Sequence, residues 1–324
     1  MRRREFITLI SSATAWPIAV RAQQSRLPIV GILSGTSPET AYYVAGLHEG
    51  MRDGGYVEGQ NFAIESRWAE GRYDRLPALA TELAGLPVAV IIAGGIPPLM
   101  AAKAATSTIP IVFSSAADPV QLGLVASLNR PGGNVTGVSH FGVALAPKRL
   151  QLLLELVPAA TVIGVLENPN NARAELEAAE LNVVARSSGK QILIVKADKE
   201  SDFETAFTTL VQAGAGGLLV AGEPFFIIRR QQLATLAARH AIPAIYDYRN
   251  FATAGGLLSY GIDLTEMYRL VGAHVARILK GAKPGDLPII QPTRFELVVN
   301  LKAARAIGLA IPESFLARAD EVIE

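Results

Sequence analysis

No cysteine occurs in this 324-residue chain. Disulfides, thiolate metal sites and a cysteine nucleophile are thereby excluded, and so is a lipid-modified cysteine as a membrane tether. Histidine is scarce, with only His48, His140, His240 and His274. No two of them stand at metal-ligand spacing, so no metal site is expected. The formal net charge is +1 and no long basic run occurs, which gives no footing for nucleic-acid binding. Beyond the N-terminus no run reaches the ~20 apolar residues of a membrane span, so stable membrane insertion is not expected. The Gly-x-Gly-x-x-Gly, Walker lysine and Gly-x-Ser-x-Gly patterns are also missing. Neither a cofactor nor a catalytic set is expected.

What the sequence does contain is a repeat. Ala104-Ala105-Thr106-Ser107-Thr108-Ile109-Pro110-Ile111-Val112-Phe113 is written again as Ala237-Ala238-Arg239-His240-Ala241-Ile242-Pro243-Ala244-Ile245-Tyr246. Proline removes a backbone donor and disfavours helix in the residue before it, so each Ile-Pro marks a switch from helix to strand. Upstream, the strand and Gly-x-Pro of residues 89–97 parallel residues 216–224, and Ile29–Leu33 parallels Val162–Leu166. Downstream, residues 132–139 loosely parallel residues 255–259. Two similar halves of alternating short strands and long helices imply parallel sheets covered on both faces. Half of the residues are hydrophobic, enough for two cores, and the length suits about two domains of ~150 residues.

Met1 to Ala22 reads as an export signal, with a basic start at Arg2-Arg3-Arg4, an apolar middle and small residues at Val20-Arg21-Ala22. Arg3-Arg4-Glu5-Phe6-Ile7 resembles the twin-arginine motif; the general secretory route stays open. The chain is expected in the periplasm, cleaved near Ala22.

In open parallel sheets, ligands sit outside the carboxyl ends of the strands, where helix N-termini present unpaired N–H groups. Those turns here are Ser34–Ser37, Gly94–Pro97, Ser114–Pro119, Asn168–Asn171, Gly222–Phe226 and Tyr246–Arg249. The Ser114–Pro119 turn is expected to open a helix. Candidate ligand-binding residues are Ser34, Thr36, Ser37, Trp68, Gly95, Ser114, Ser115, Asp118, Asn168, Asn170, Glu223, Phe225, Tyr246 and Asp247. Hydroxyls and backbone N–H groups would take a carboxylate, one of Asp118, Glu223 or Asp247 an ammonium, and the aromatics an apolar body. Each also has a structural reading: Ser37, Asp118 and Asn168 beside proline as caps, Phe225 and Phe226 as core.

Several stretches resemble a known family. Residues 55–61, Trp68-Ala69-Glu70-Gly71, residues 127–137, Asn168-Pro169-Asn170 and Phe295-Glu296-Leu297-Val298-Val299-Asn300 look like the bacterial ABC-transporter substrate-binding proteins of the tryptophan/tyrosine type. The resemblance covers essentially the whole mature chain. It implies a type I periplasmic-binding-protein fold: two doubly wound parallel-sheet lobes, three chain crossings and a ligand cleft between the lobes. The crossings are expected near Ser139–Gly142, Phe251–Gly255 and Ile289–Pro292. Lobe one would then comprise 27–140 plus 255–290, and lobe two 141–250 plus 291–324, with an amphipathic tail to Glu324. It implies a small-molecule solute as ligand, and the strand-end turns make an amino acid or related carboxylate the expected one. The expected partners are an inner-membrane permease and its cytoplasmic ATPase, with the binding protein itself a monomer. An exported enzyme of similar architecture is the alternative; a sugar-type regulator core would need a DNA-binding headpiece where this chain has its leader.

Protein recovered from a periplasmic fraction should show the intact mass of a chain beginning at Gln23. A retained leader or a lipid adduct in the mass spectrum would contradict this.

Overall fold

The apolar runs that follow each helix pair side by side in parallel, and the helices between them cover both faces. The computed structural model describes residues 27–140, 144–171 and 173–324. The leader, and part of the first crossing at Ser139–Gly142, lie outside these residues. One sheet contains β1 (Ile29–Ser34), β2 (Ala63–Trp68), β3 (Val88–Gly94), β4 (Ile111–Ser115) and β5 (Val135–Ser139). Its order is β2-β1-β3-β4-β5 and every pairing is parallel. Between these strands run α1 (Val44–Asp53), α2 (Leu76–Ala84) and α3 (Ile96–Ala105). All of β4 and β5 is buried, as a strand covered on both faces requires.

The second sheet repeats the plan. After α4 (Ala146–Leu156) come β6 (Val162–Glu167), α5 (Arg173–Ser187), β7 (Gln191–Lys196), α6 (Asp202–Gln212) and β8 (Ala215–Val220). Then follow α7 (Pro224–Ile228), α8 (Arg230–Arg239), β9 (Ala244–Tyr246), α9 (Arg249–Thr253) and β10 (Leu258–Gly261). After α10 (Leu264–Leu279) the chain adds β11 (Glu296–Asn300), α11 (Leu301–Ala306), α12 (Glu313–Leu316) and β12 (Glu321–Ile323). The order is β12-β11-β10-β9-β8-β6-β7, antiparallel only between β10 and β11. The expected fold class, a type I periplasmic-binding-protein architecture of two parallel-sheet lobes, is what the structure shows.

Three expectations change. Residues 255–290 were assigned to the first lobe, but β10 pairs with β9 and β11 in the second sheet. The chain leaves that sheet only at Ile262-Asp263, where the Asp263 side chain caps α10 by accepting from the Thr265 N–H. The repeat ends one strand later than its composition suggests, because Gly255-Gly256 joins α9 to β10, which pairs parallel with β9 in the same sheet, and is not a crossing. Second, no helix follows Ser114–Pro119. Asp118 accepts from the Val120 N–H at 2.8 Å, and Gly123, at φ 66°, turns the chain out of a helical path within one turn. Third, the chain after β11 is more than an amphipathic tail: its end forms β12 along the sheet edge.

The returning helix α10 packs against α1 so closely that the backbones nearly touch. A Cβ at Gly46 would lie 1.9 Å from the Thr265 carbonyl oxygen, and one at Gly50 the same distance from that of Arg269. Small residues four apart on α1 therefore fasten a segment more than 200 residues later in sequence onto the first lobe. Helix propensity alone would favour alanine over glycine by roughly 1 kcal/mol. The overlap is with backbone, which cannot swing aside, so the clash decides the sign. Gly50→Ala should lose at least ~2 kcal/mol, read as a melting temperature lower by at least ~4 °C. Gly85→Ala, whose Cβ would meet nothing closer than 3.4 Å, is the control and should melt as the parent does. Equal melting of the two variants would contradict the packing argument.

Candidate functional site

The strands of both sheets end on the same cleft, so the turns after them face each other across a closed cavity. Its free volume is about 60 Å³, against the ~10–15 Å³ that one water occupies on the same scale. The first lobe supplies Thr36 after β1, Gly95 and Ile96 at the start of α3, Ser114 in β4 and His140 after β5. The second supplies Asn171 and Arg173 at the start of α5, Glu223 before α7 and Tyr248 before α9. The first turns of α10 add Leu264, Met267 and Tyr268.

On the first lobe the hydroxyls are chained together. Ser34 Oγ lies 2.9 Å from Thr36 Oγ1, which is 2.8 Å from the Tyr43 hydroxyl. The Tyr43 ring stacks on Tyr268 with centroids 4.1 Å apart, and Ser114 Oγ donates to the Tyr268 hydroxyl at 3.4 Å. Beside them, Gly95 is the N-cap of α3, so its φ of 105° suits glycine; Pro97 and Pro98 carry no N–H, which leaves that of Ile96 as the first turn's donor at the cavity wall. That end carries partial positive charge.

On the second lobe four buried charges interlock. Arg149 from α4 meets Glu177 at 3.2 Å and Asp247 at 3.1 Å. Arg173 meets Glu177 at 2.9 Å and Asp247 at 2.5 Å, and Arg173 Nη1 also donates to the Gly222 carbonyl. All four side chains are at most 3% exposed. Burial opposes the charge on Arg173, but Asp247 and Glu177 outweigh it and hold its pKa above the ordinary value. The four charges sum to zero.

Among the described residues Glu223 is the one carboxylate lining the cavity. Its Oε1 caps α7 by accepting from the Phe226 N–H at 2.9 Å. Its Oε2 accepts from the Tyr73 hydroxyl of the opposite lobe and, at 3.4 Å, from Asn168. Burial pushes its pKa up to about 7, partly countered by these donors. His140 goes the other way: burial, then the Arg173 guanidinium, lower its pKa to about 3. Among the described residues no group of three or more His, Asp or Glu is placed to hold a metal.

Of the candidates named from sequence, Thr36, Gly95, Ser114 and Glu223 line the cavity, and Ser34 stands directly behind Thr36. The others are elsewhere. Ser37 bonds with Thr40 in a cap, and Ser115 holds the Ala117 turn. Asp118 caps the turn at Val120 and Gln121 and does not reach the cavity. Asn168 and Asn170 line an outer groove beyond Tyr73. Trp68 packs against the core, Phe225 stacks on Phe203 and Tyr246 on Phe251. Asp247 is engaged with the two arginines behind the wall. Sequence reasoning missed Tyr43, His140, Asn171, Arg173, Tyr248 and Tyr268. Asn171 and Tyr248 lay inside turns already singled out, whereas Tyr268 enters only because α10 returns to lobe one.

Two parallel-sheet lobes closed over a cavity at their strand ends define a bilobal periplasmic-type binding protein. A family model for ABC transporter substrate binding proteins matches residues 26–323, and the chain belongs to that family, as the sequence resemblance indicated. It is 26% identical over 264 residues to a tyrosine-binding protein of Clostridioides difficile (strain R20291), covering 82% of this chain and 76% of the relative. A conserved domain protein from Vibrio cholerae superposes with a TM-score of 0.85 at 28% identity, covering 91% of this chain and 99% of that one. An ABC domain in complex with L-Trp from Streptococcus pneumonia gives 0.83 at 24% identity, over 92% of this chain and 100% of that one.

The raised Glu223 pKa has a thermodynamic sign. The folded, closed protein binds this proton more tightly than the unfolded chain, so the contribution to stability is fullest below the ordinary value of 4.5. It falls as pH rises towards about 7 and is constant above. Glu167, also pushed up to about 7 chiefly by burial, adds a similar slope. Subtracting the melting curve of Glu223→Gln removes that shared part. In the absence of ligand, wild type should lose stability relative to Glu223→Gln between pH 4.5 and 7 and run parallel to it above. Parallel curves throughout would show that Glu223 ionises freely.

Proposed function

We propose that the protein is the periplasmic solute-binding component of an ABC importer and that its solute is an amino acid with an aromatic body. The observation that carries this is the cavity itself, walled by aromatic and apolar side chains, with, among the described residues, a single carboxylate on one lobe and the Ile96 N–H at a helix end beside hydroxyls on the other. An α-carboxylate would lie at the Gly95–Ile96 turn beside Thr36 and Ser114. An α-ammonium would pair with Glu223, pulling its pKa back down. Tyr43, Tyr268, Tyr248 and Met267 would pack on the body. The relatives that bind tyrosine and L-Trp support this choice of solute.

Lobe one is proposed as residues 27–140 with 263–290, and lobe two as 141–262 with 291–324. A ligand that touches both lobes favours the closed form by its differential affinity, and the permease is proposed to read that form. Binding is proposed without chemistry: the cavity holds no nucleophile set beside a base and its orienting partner. The leader would be removed near Ala22 by the twin-arginine or general secretory route, releasing a monomer. Among the described residues no helix is long and apolar enough to cross a membrane.

Thermal shift with single amino acids tests the reading. A ligand at 100 times its Kd stabilises by roughly 2.7 kcal/mol. L-Tyrosine, L-tryptophan or L-phenylalanine should raise the melting temperature, and Glu223→Gln should weaken binding by ~2–5 kcal/mol, the loss for a buried charge left unpaired. Asp118→Asn should bind as the parent does. If no amino acid shifts the melt, or if Glu223→Gln binds unchanged, the amino-acid reading fails. Chemical conversion of the bound ligand beyond a trace rate would instead favour the enzyme alternative.

A further inference from the structure

Two polar side chains in the cavity find no hydrogen-bond partner in another described residue. His140, at the end of the first sheet, is 4% exposed, and Tyr248, after β9 of the second, is 6% exposed. Both line the cavity. Their rings meet edge to face, with centroids 6.3 Å apart and planes at 67°. The His140 main-chain N–H donates to the Ser115 carbonyl at 2.8 Å. Among the described residues, however, neither the imidazole nor the Tyr248 hydroxyl hydrogen-bonds to another residue. Neither polar tip is sealed into the packing. Every other strongly polar group at this wall is engaged: Arg173 by Glu177, Asp247 and Gly222, and Glu223 by Tyr73, Asn168 and Phe226.

We propose that His140 and Tyr248, one from each lobe, form the subsite that selects the solute's side chain, preferring an aromatic ring with a neutral hydrogen-bonding group to a bare phenyl ring. This rests on the aromatic amino-acid reading above and assigns residues to it.

Charge excludes the other occupants. The guanidiniums nearby are balanced by Glu177 and Asp247, so no free positive charge remains for a second carboxylate. A cation would face Arg173. The imidazole is neutral, held so by burial and by Arg173, and therefore offers one donor and one acceptor nitrogen. Burial, then Asp247, keeps the Tyr248 phenol protonated. A phenol hydroxyl in the ligand can donate to one and accept from the other. An indole N–H can donate to the acceptor nitrogen. A phenyl ring offers neither, and closure would strand both protein groups without water or partner. Sites built to hydrogen-bond a ligand OH or NH reject analogues that lack it far more strongly than apolar pockets reject a missing methylene.

Calorimetric titration of the mature chain with L-tyrosine, L-tryptophan and L-phenylalanine decides the matter. Wild type should bind tyrosine or tryptophan at least ~10-fold more tightly than phenylalanine. Tyr248→Phe and His140→Leu should each cut that ratio by at least ~3-fold, through weaker binding of the polar ligand and no weaker binding of phenylalanine. His140→Gln, which keeps a donor and an acceptor, should retain most of the ratio. A purely structural role would weaken all ligands alike. The subsite is overturned if the ratio survives both Tyr248→Phe and His140→Leu, if all ligands weaken equally, or if wild type does not favour the polar rings. Should His140→Leu misfold, Tyr248→Phe, which removes one oxygen, decides alone. Binding of none of these but of another amino acid overturns the subsite and leaves the amino-acid reading standing. Binding of no amino acid at all brings down both.

Discussion

The second lobe's half of the cleft depends on one interaction, the buried square of Arg149, Glu177, Arg173 and Asp247. These four residues come from α4, from α5 and from the turn after β9. Taking charges out of water is costly, and mutual attraction offsets the loss only when the geometry leaves no charge unpaired. Here each guanidinium faces two carboxylates and each carboxylate two guanidiniums. Removal of any member would leave a buried charge without its partner, typically a loss of 3–5 kcal/mol. Arg173 reaches further, through Nη1, to the Gly222 carbonyl at the head of α7. A single network thus fixes the turns after β6, β8 and β9 relative to one another, and the cavity-lining Asn171, Glu223 and Tyr248 are placed as a consequence.

The neutrality of that square governs the chemistry of the cavity. Had one arginine been spare, His140 would have met a stronger repulsion. Glu223 has only hydrogen-bond donors, and burial carries its pKa up to about 7. Such a carboxylate gains more from an incoming ammonium than one already paired, because the ligand relieves a desolvation that the protein leaves standing. The opposite wall has no formal charge; its polar groups are hydroxyls, the neutral His140 imidazole and the helix end at Gly95. Polarity is therefore divided between the lobes, and a zwitterion spanning the cavity is held by both.

Much of the fold was legible because it is written in a local code. The Ile-Pro switches and Gly-x-Pro helix starts depend on residues a few positions apart, and they placed the strands and the cleft-facing turns. Thr36, Gly95, Ser114 and Glu223 were found by that route. What failed was long-range or depended on side-chain direction. Trp68 and Tyr246 end strands, and alternation sends one strand-end side chain to the cleft and the next to a helix. Tyr246 took the second course and stacks on Phe251. Asp118 was read as a ligand for an ammonium, but its own backbone competes for it and wins, at 2.8 Å from the Val120 N–H. Arg149 and Glu177 lay in helical patterns with no turn signal, and Tyr268 belongs to a helix whose lobe is set by a crossing, not by its neighbours in sequence.

The crossing also explains why the glycines of α1 matter to a cavity they do not touch. Helix α10 follows directly from the second sheet, through Ile262-Asp263, yet its glycine-lined contact with α1 holds it in the first lobe. Leu264, Met267 and Tyr268 therefore ride with lobe one while lying one turn from the hinge. The second hinge strand is tied to the same lobe, where Ile290 exchanges backbone hydrogen bonds with Gly137 and Ser139. Across the cleft the lobes meet at the Tyr73 hydroxyl on Glu223, at the His140 and Tyr248 rings, and at Gly71 against the Phe225 ring, where any Cβ would come within 2.8 Å. Under the proposed function, a rotation at these crossings would separate the carboxylate from the hydroxyls, the mechanical condition for a ligand between the lobes to set their equilibrium.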